Sequence, residues 1–122
     1  MEALTAAEVL LDRDLRRDAT SRLYYAAFHA ARAALATAGE YAKSHAGQVG
    51  MFIRRFGDAP ILGQLLDLRG KADYGEPGRF TAATDELRGS LTEARGFVER
   101  CRKIVEEAAA AGPDEPDPAP DL

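Results

Sequence analysis

Apolar positions recur along this chain at helical spacing, and no stretch alternates as a strand would. The clearest run lies between Asp18 and Gly39. Within it Leu23, Ala27, Ala30 and Ala34 form one stripe, and Tyr24, Phe28, Ala31 and Leu35 form its neighbour. The two stripes cover more than half the circumference, so other helices must surround this one. Alanine is the best helix former, and its small side chain lets neighbours approach closely. Asp18 suits an N-cap and Gly39 a C′ position. The pattern predicts the central helix of a bundle, from Asp18 to Ala38.

The remaining elements follow the same logic. Thr5-Ala-Ala-Glu8 reads as a capping box and opens a first helix from Thr5 to about Asp12, with Val9 and Leu10 inward. Ser44 is a plausible cap for a third helix from about His45 to Phe56, where Val49, Phe52, Ile53 and Phe56 stand at i, i+3, i+4 and i+7. Gly57 stops it and Pro60 marks a loop. A fourth helix runs from Ile61 to Tyr74 with Leu62, Leu65, Leu66 and Ala72 for the core, and Gly75-Glu-Pro-Gly78 breaks it. The last begins at about Thr81 or Thr84 and reaches Ala110, with a seam of Leu87, Leu91, Ala94, Val98, Cys101 and Val105. The expected fold class is all-α, with about five helices.

Charge changes the picture at one end. The chain has 122 residues and a net charge of −4, and the stretch from Gly112 to Leu122 holds four acids and no base. Residues 1–111 therefore balance sixteen acids against sixteen bases. A neutral body argues against broad coating of nucleic acid but leaves room for a focused basic site. The expected organisation is a helical domain over 1–111 and a disordered Pro/Asp-rich tail over 112–122. Cys101 is the single cysteine, sits on a packing seam, and reads as a buried small hydrophobe. No ligand cluster suggests a metal, and no cofactor is implied. Neither a membrane span nor a signal peptide is visible, so a cytoplasmic location is expected.

A third stripe on the central helix carries the candidate chemistry. Arg22, Tyr25 and His29 line up on it, continued by Arg32 or Ala33. Such a pair is either a satisfied polar network or a site. In the structural reading Arg22 pairs with an acid such as Asp73, and His29 is hydrogen-bonded in a partly buried groove. Lys43, Ser44 and His45 sit at a helix start, where free N–H groups suit an anion, or where Ser44 simply caps. Arg69 and Asp73 fit an i, i+4 pair, and Tyr74 after them suits base stacking or packing at the bundle end. Arg54, Arg55, Arg100, Arg102 and Lys103 read as solvated faces or phosphate contacts.

Three segments together resemble one family. Ser21-Arg-Leu-Tyr-Tyr-Ala-Ala-Phe-His-Ala-Ala-Arg32 is similar to the signature helix of small stand-alone prokaryotic HEPN domains (higher eukaryotes and prokaryotes nucleotide-binding). Lys43-Ser-His-Ala-Gly47 with Phe52 and Phe56, and then Leu62-Gly-Gln-Leu65 with Leu68-Arg-Gly-Lys-Ala-Asp-Tyr74, resemble its second and third motifs. The resemblance implies an up-down helical bundle, a homodimer, and pairing with a minimal nucleotidyltransferase in a toxin–antitoxin or defence system. It also implies a metal-independent ribonuclease in which Arg22 and His29, with six residues between them, are catalytic. Tyr25, Lys43, His45, Arg69, Asp73 and Tyr74 are the expected substrate-binding residues. RNA brings its own nucleophile, the 2′-hydroxyl. His29 would take that proton or protonate the leaving oxygen, and Arg22 would fork onto the phosphate. The alternative is a non-catalytic dimeric module that docks the nucleotidyltransferase. Exposure of His29 separates the two, because a His29 sealed in the core against Asp73 favours the module.

Overall fold

The computed structural model describes residues 2–74 and 80–111, for Glu2 and Tyr74 the backbone alone. Five helices follow in order: α1 Glu2–Asp12, α2 Arg16–Ala36, α3 His45–Phe56, α4 Pro60–Tyr74 and α5 Thr84–Ala110, with no strand among the described residues. The expected breaker at 75–78, the Tyr74 side chain and the acidic tail from 112 lie outside the described residues. No helix of the described residues is long and apolar enough to cross a membrane.

α2 is the hub and touches all four other helices. Its two predicted stripes are buried, Ala30 alone being only partly covered. Ala19, Ala27, Ala31 and Ala34 are wholly inaccessible, so the neighbouring helices approach the α2 backbone through side chains one carbon long. After α2, Gly39 adopts φ +72°, and the Glu40 N–H returns to the Leu35 carbonyl at 3.0 Å. A residue without a Cβ takes that left-handed turn at no steric cost.

The starts of α1 and α2 differ from the expectation, α4 takes Pro60 as its first residue where a loop was expected, and α5 begins at Thr84, one of the two positions expected. α1 begins at Glu2, so Thr5 lies inside it and does not cap it. Glu8 reaches across to Arg95 on α5 at 2.7 Å. The buried stripe is Leu4, Ala7 and Leu11, leaving Leu10 partly covered and Val9 49% exposed. Val9 lies about 200° around the helix from Ala7, on the opposite side. Asp14 then turns the chain through the left-handed region at φ 58°, a conformation Asp tolerates better than most. α2 starts at Arg16 with Leu15 in the cap position and no side-chain cap. Asp18 lies in the first turn, where its charge suits the positive end of the helix dipole. α5 starts at Thr84, where Ala83 has no oxygen to offer and only the Glu86 half of a capping box forms, accepting from the Ala83 N–H at 3.0 Å.

α3 matches its expected span. Ser44 caps it, accepting the Gly47 N–H at 2.9 Å. Phe52 is fully buried against Phe56 and Phe97, ring centroids 5.0 and 5.1 Å away. Gln48 is buried as well, and its Nε2 donates to the Phe28 carbonyl at 2.8 Å, tying α3 to α2. Ile53, expected inward, is exposed and does not pack against the core.

Several arginines expected on solvated faces or left unassigned instead hold helix ends and loops. Arg100 of α5 donates to the carbonyls of Phe56 at 2.6 Å and Asp58 at 2.7 Å while lying 5.2 Å over the Phe52 ring. Those carbonyls stand at the end of α3, where the helix leaves acceptors unpaired. Arg17 donates to Ala72 O at 2.6 Å and Arg16 to Ala82 O at 2.9 Å, pinning the end of α4 and the approach to α5. On α5 the seam of Leu87, Leu91, Ala94 and Cys101 is buried together with Phe97, whereas Val98 is only partly so.

Candidate functional site

A cleft of about 330 Å³ opens along α2 and α3, with Arg69 of α4 at its rim. Ser21, Tyr24, Tyr25, Phe28, His29 and Arg32 come from α2, and His45 and Gln48 from α3. Tyr24 is the floor. Its ring stacks on Phe28 at 4.6 Å, carries the Arg69 guanidinium at 4.5 Å, and meets the His45 ring edge-on at 5.3 Å. The Tyr24 hydroxyl is hydrogen-bonded to His45 Nδ1. Arg69 is aimed by Asp73, whose carboxylate accepts from Nε at 2.7 Å. That leaves the outer guanidinium nitrogens uncommitted among the described residues. Tyr25 is 55% exposed and lies against His29, centroids 4.3 Å apart.

The lining carries two guanidinium groups, two imidazoles and no carboxylate. Asp73 is spent on Arg69. A lining of guanidinium and imidazole side chains suits an anionic ligand such as a phosphodiester.

The predicted site residues divide between this cleft and its surroundings. His29, Tyr25, His45 and Arg69 meet in the cleft, with Asp73 behind Arg69. Arg22 lines an adjacent depression with Leu10, Asp18, Ser21 and Tyr25. Tyr25 and Ser21 are common to both hollows, so Tyr25 stands between Arg22 and His29. Lys43 is exposed and does not line the cleft, and the Tyr74 side chain lies outside the described residues. The expected structural pairing does not form: Asp73 takes Arg69 and not Arg22, and His29 is exposed on α2.

Arg32, Ser21, Tyr24 and Gln48 were not assigned to the site from sequence. Arg32 had a signal, because it follows His29 by one turn on the stripe that also carries Tyr25. Gln48 had none, since its partner is a main-chain carbonyl twenty residues away.

A larger groove of about 630 Å³ runs between α1, α2 and α5, lined by Leu4, Ala30, Ala33, Val98, Cys101 and Val105 with charged residues at its margin. Its one nucleophile is disarmed. Burial pushes the Cys101 thiol up to about 12, with the nearby Arg100 charge opposing only in part.

A small all-α bundle with a cationic, imidazole-bearing cleft on its central helix is the class that fold and site define. The HEPN domain profile matches residues 1–110. A protein of Methanocaldococcus jannaschii named "Putative toxin" is 37% identical over 114 residues, covering 87% of this chain and 83% of its own length. A UPF0332 protein of Thermotoga maritima is 26% identical over 90% of this chain and 88% of its own. Another from Gloeobacter violaceus is 38% identical over 61% of this chain and 65% of its own. The chain belongs to the HEPN domain family.

Proposed function

We propose that this HEPN protein is a metal-independent endoribonuclease, acting as the toxin of a two-component toxin–antitoxin or defence system. The observation that carries the reading is His29: it is exposed in a cleft with Arg32, Arg69 and a second histidine, and is not sealed against Asp73. The 2′-hydroxyl of RNA is an internal nucleophile, so cleavage needs only proton transfer and stabilisation of phosphorane charge. An imidazole supplies the first near neutral pH, and guanidinium groups supply the second. The Methanocaldococcus relative's name accords with the toxin role. Arg22, next to the cleft beyond Tyr25, serves in this reading to draw the RNA strand along α2.

The test is incubation of wild type and His29→Ala with mixed RNA in EDTA. Cleavage by wild type, lost in the variant and ending in 2′,3′-cyclic phosphate, is the expected result. Expression of wild type alone should also arrest growth, and expression of His29→Ala should not. A variant as toxic and as active as wild type would remove His29 from the chemistry.

A second reading is favoured by the apolar groove between α1, α2 and α5. In it the chain is a non-catalytic homodimeric module that docks a minimal nucleotidyltransferase. It expects no cleavage by either protein, a dimer in sedimentation, and a stable complex with the nucleotidyltransferase.

A further inference from the structure

The chain contains two histidines, and both line the same cleft from different helices, His29 on α2 and His45 at the first residue of α3. Transesterification at phosphorus places the entering 2′-oxygen and the leaving 5′-oxygen roughly in line, on opposite sides of the phosphorus. One imidazole cannot reach both ends in a single step. A second proton carrier on another element is what the geometry of the reaction asks for.

The two histidines are held differently. His45 is fixed through Nδ1 by the hydroxyl of Tyr24, itself 4% exposed and clamped between Phe28 and Arg69. An imidazolium donates from both ring nitrogens. As the cation, His45 therefore gives its Nδ1–H to the Tyr24 oxygen and has a single uncommitted proton, on Nε2. Among the described residues His29 makes one ring contact, with Tyr25, and no hydrogen bond. In either neutral tautomer it offers an unshared lone pair.

We propose that His45 is the second proton-transfer residue of this cleft, donating to the leaving 5′-oxygen while His29 accepts the proton of the 2′-hydroxyl. This rests on the ribonuclease reading above. In the step, the O2′–H proton passes to His29 as the P–O2′ bond forms. The P–O5′ bond breaks, its electron pair stays on O5′, and that oxygen takes the Nε2 proton of His45. The products are a 2′,3′-cyclic phosphate and a 5′-hydroxyl. His29 ends protonated and His45 neutral, and proton exchange with water restores both. Arg32 and Arg69, which line the same cleft, supply the positive charge for the non-bridging oxygens.

The test compares full-length wild type, His29→Ala, His45→Ala and His45→Gln on two substrates. One is a mixed-sequence oligoribonucleotide. The other is the set of four nucleoside 3′-(4-nitrophenyl phosphates), whose leaving group departs without a proton. General acid catalysis contributes on the order of 10²–10⁴-fold. Both His45 variants should lose a factor in that range on RNA and stay within about tenfold of wild type on the aryl esters. His29→Ala should lose comparably on both. Wild-type rates on RNA in either His45 variant would overturn the proposal while leaving the ribonuclease reading standing. Equal losses on both substrates would also overturn it, because a residue that merely shapes the cleft does not distinguish leaving groups. Rescue of His29→Ala by the aryl esters would overturn the assignment of acid and base. If wild type cleaves neither substrate, the ribonuclease reading falls and the role of His45 falls with it. Because His45 is exposed, its variants should melt near wild type, and Gln keeps a side-chain donor for Tyr24.

Discussion

Replacing Arg100 with methionine tests whether a side chain from α5 holds the end of α3. The thioether keeps most of the stem and removes the donors. Two hydrogen bonds from a charged group, at 2.6 and 2.7 Å, are lost, together with a guanidinium 5.2 Å over the Phe52 ring. A charge-assisted hydrogen bond contributes about 1.5–3 kcal/mol, and a partly solvated cation over an aromatic ring about 0.5–1 kcal/mol. Arg100 is partly solvated and the carbonyls can turn to water, so the sum is discounted to about 2 kcal/mol. At about 2.1 cal/mol/K of unfolding entropy per residue, 1 kcal/mol moves the melting temperature of a domain of this size by about 4 °C, so Arg100→Met should melt roughly 8 °C below wild type. Thermal unfolding followed by helical circular dichroism reads this directly. Arg100→Lys should fall between, because one ammonium cannot fork onto two carbonyls. Arg102 provides the comparison. It is exposed and, among the described residues, pairs only with Glu99 and Glu106 on its own helix, and exposed pairs of that kind contribute little. Its melting temperature should scarcely move on mutation to methionine. If Arg100→Met melts no lower than Arg102→Met, the capping argument is wrong.

Ser44→Ala should cost about 1 kcal/mol by leaving the Gly47 N–H without its side-chain acceptor. It should lower the urea midpoint and, because His45 is the next residue, slow RNA cleavage. An unchanged midpoint would mean that water serves that N–H equally well. Cys101 should ignore Ellman's reagent in the folded protein at pH 8 and react once denaturant is added, since its thiol is buried and pushed up to about 12. The raised value has a sign in stability. Between about 9 and about 12 the unfolded thiol has lost its proton and the folded one has kept it, so stability present below about 9 falls as pH rises through that window. The slope attributable to Cys101 is at most about 1.4 kcal/mol per pH unit. It should be absent from Cys101→Ala and so make up the difference in slope between wild type and variant, and persistence of the full slope in the variant would refute the assignment.

The parts of the fold that were legible in the sequence are those with local causes. Ser44 before a 3.6-period run fixes the start of α3, and the alanine-dense stripe of α2 announces a surrounded helix. The misjudged parts depend on distant partners. Glu8 looked like the reciprocal half of a cap at Thr5, but Arg95 offers it a charge across the bundle, and the demand to bury Leu4 draws the helix back to Glu2. Arg100 read as solvated because nothing local reveals two carbonyls in a loop over forty residues away. In the cleft, His29, His45 and Arg69 could each be named from sequence as candidates. Their meeting could not, because it depends on how α3 lies across α2, which is set partly by the contact from Gln48 to the Phe28 carbonyl. The i, i+4 pairing of Arg69 with Asp73 was readable, and it is this pairing that denied Arg22 its supposed partner.

The alanine hub sets terms for anyone who would re-engineer the molecule. Positions 19, 27, 31 and 34 are inaccessible with the smallest chiral side chain already in place, and an added methyl there must displace a neighbouring helix. A saturation library spread evenly over α2 would therefore return mostly dead clones, whatever activity is selected. The same helix also presents exposed side chains at 25, 29 and 32 to the cleft. Substitutions there disturb no packed layer. Diversity aimed at altered substrate choice is best confined to that outward edge apart from His29 and Arg32 and to α3 apart from His45, with the inward alanines held fixed as the axle on which the variable parts turn.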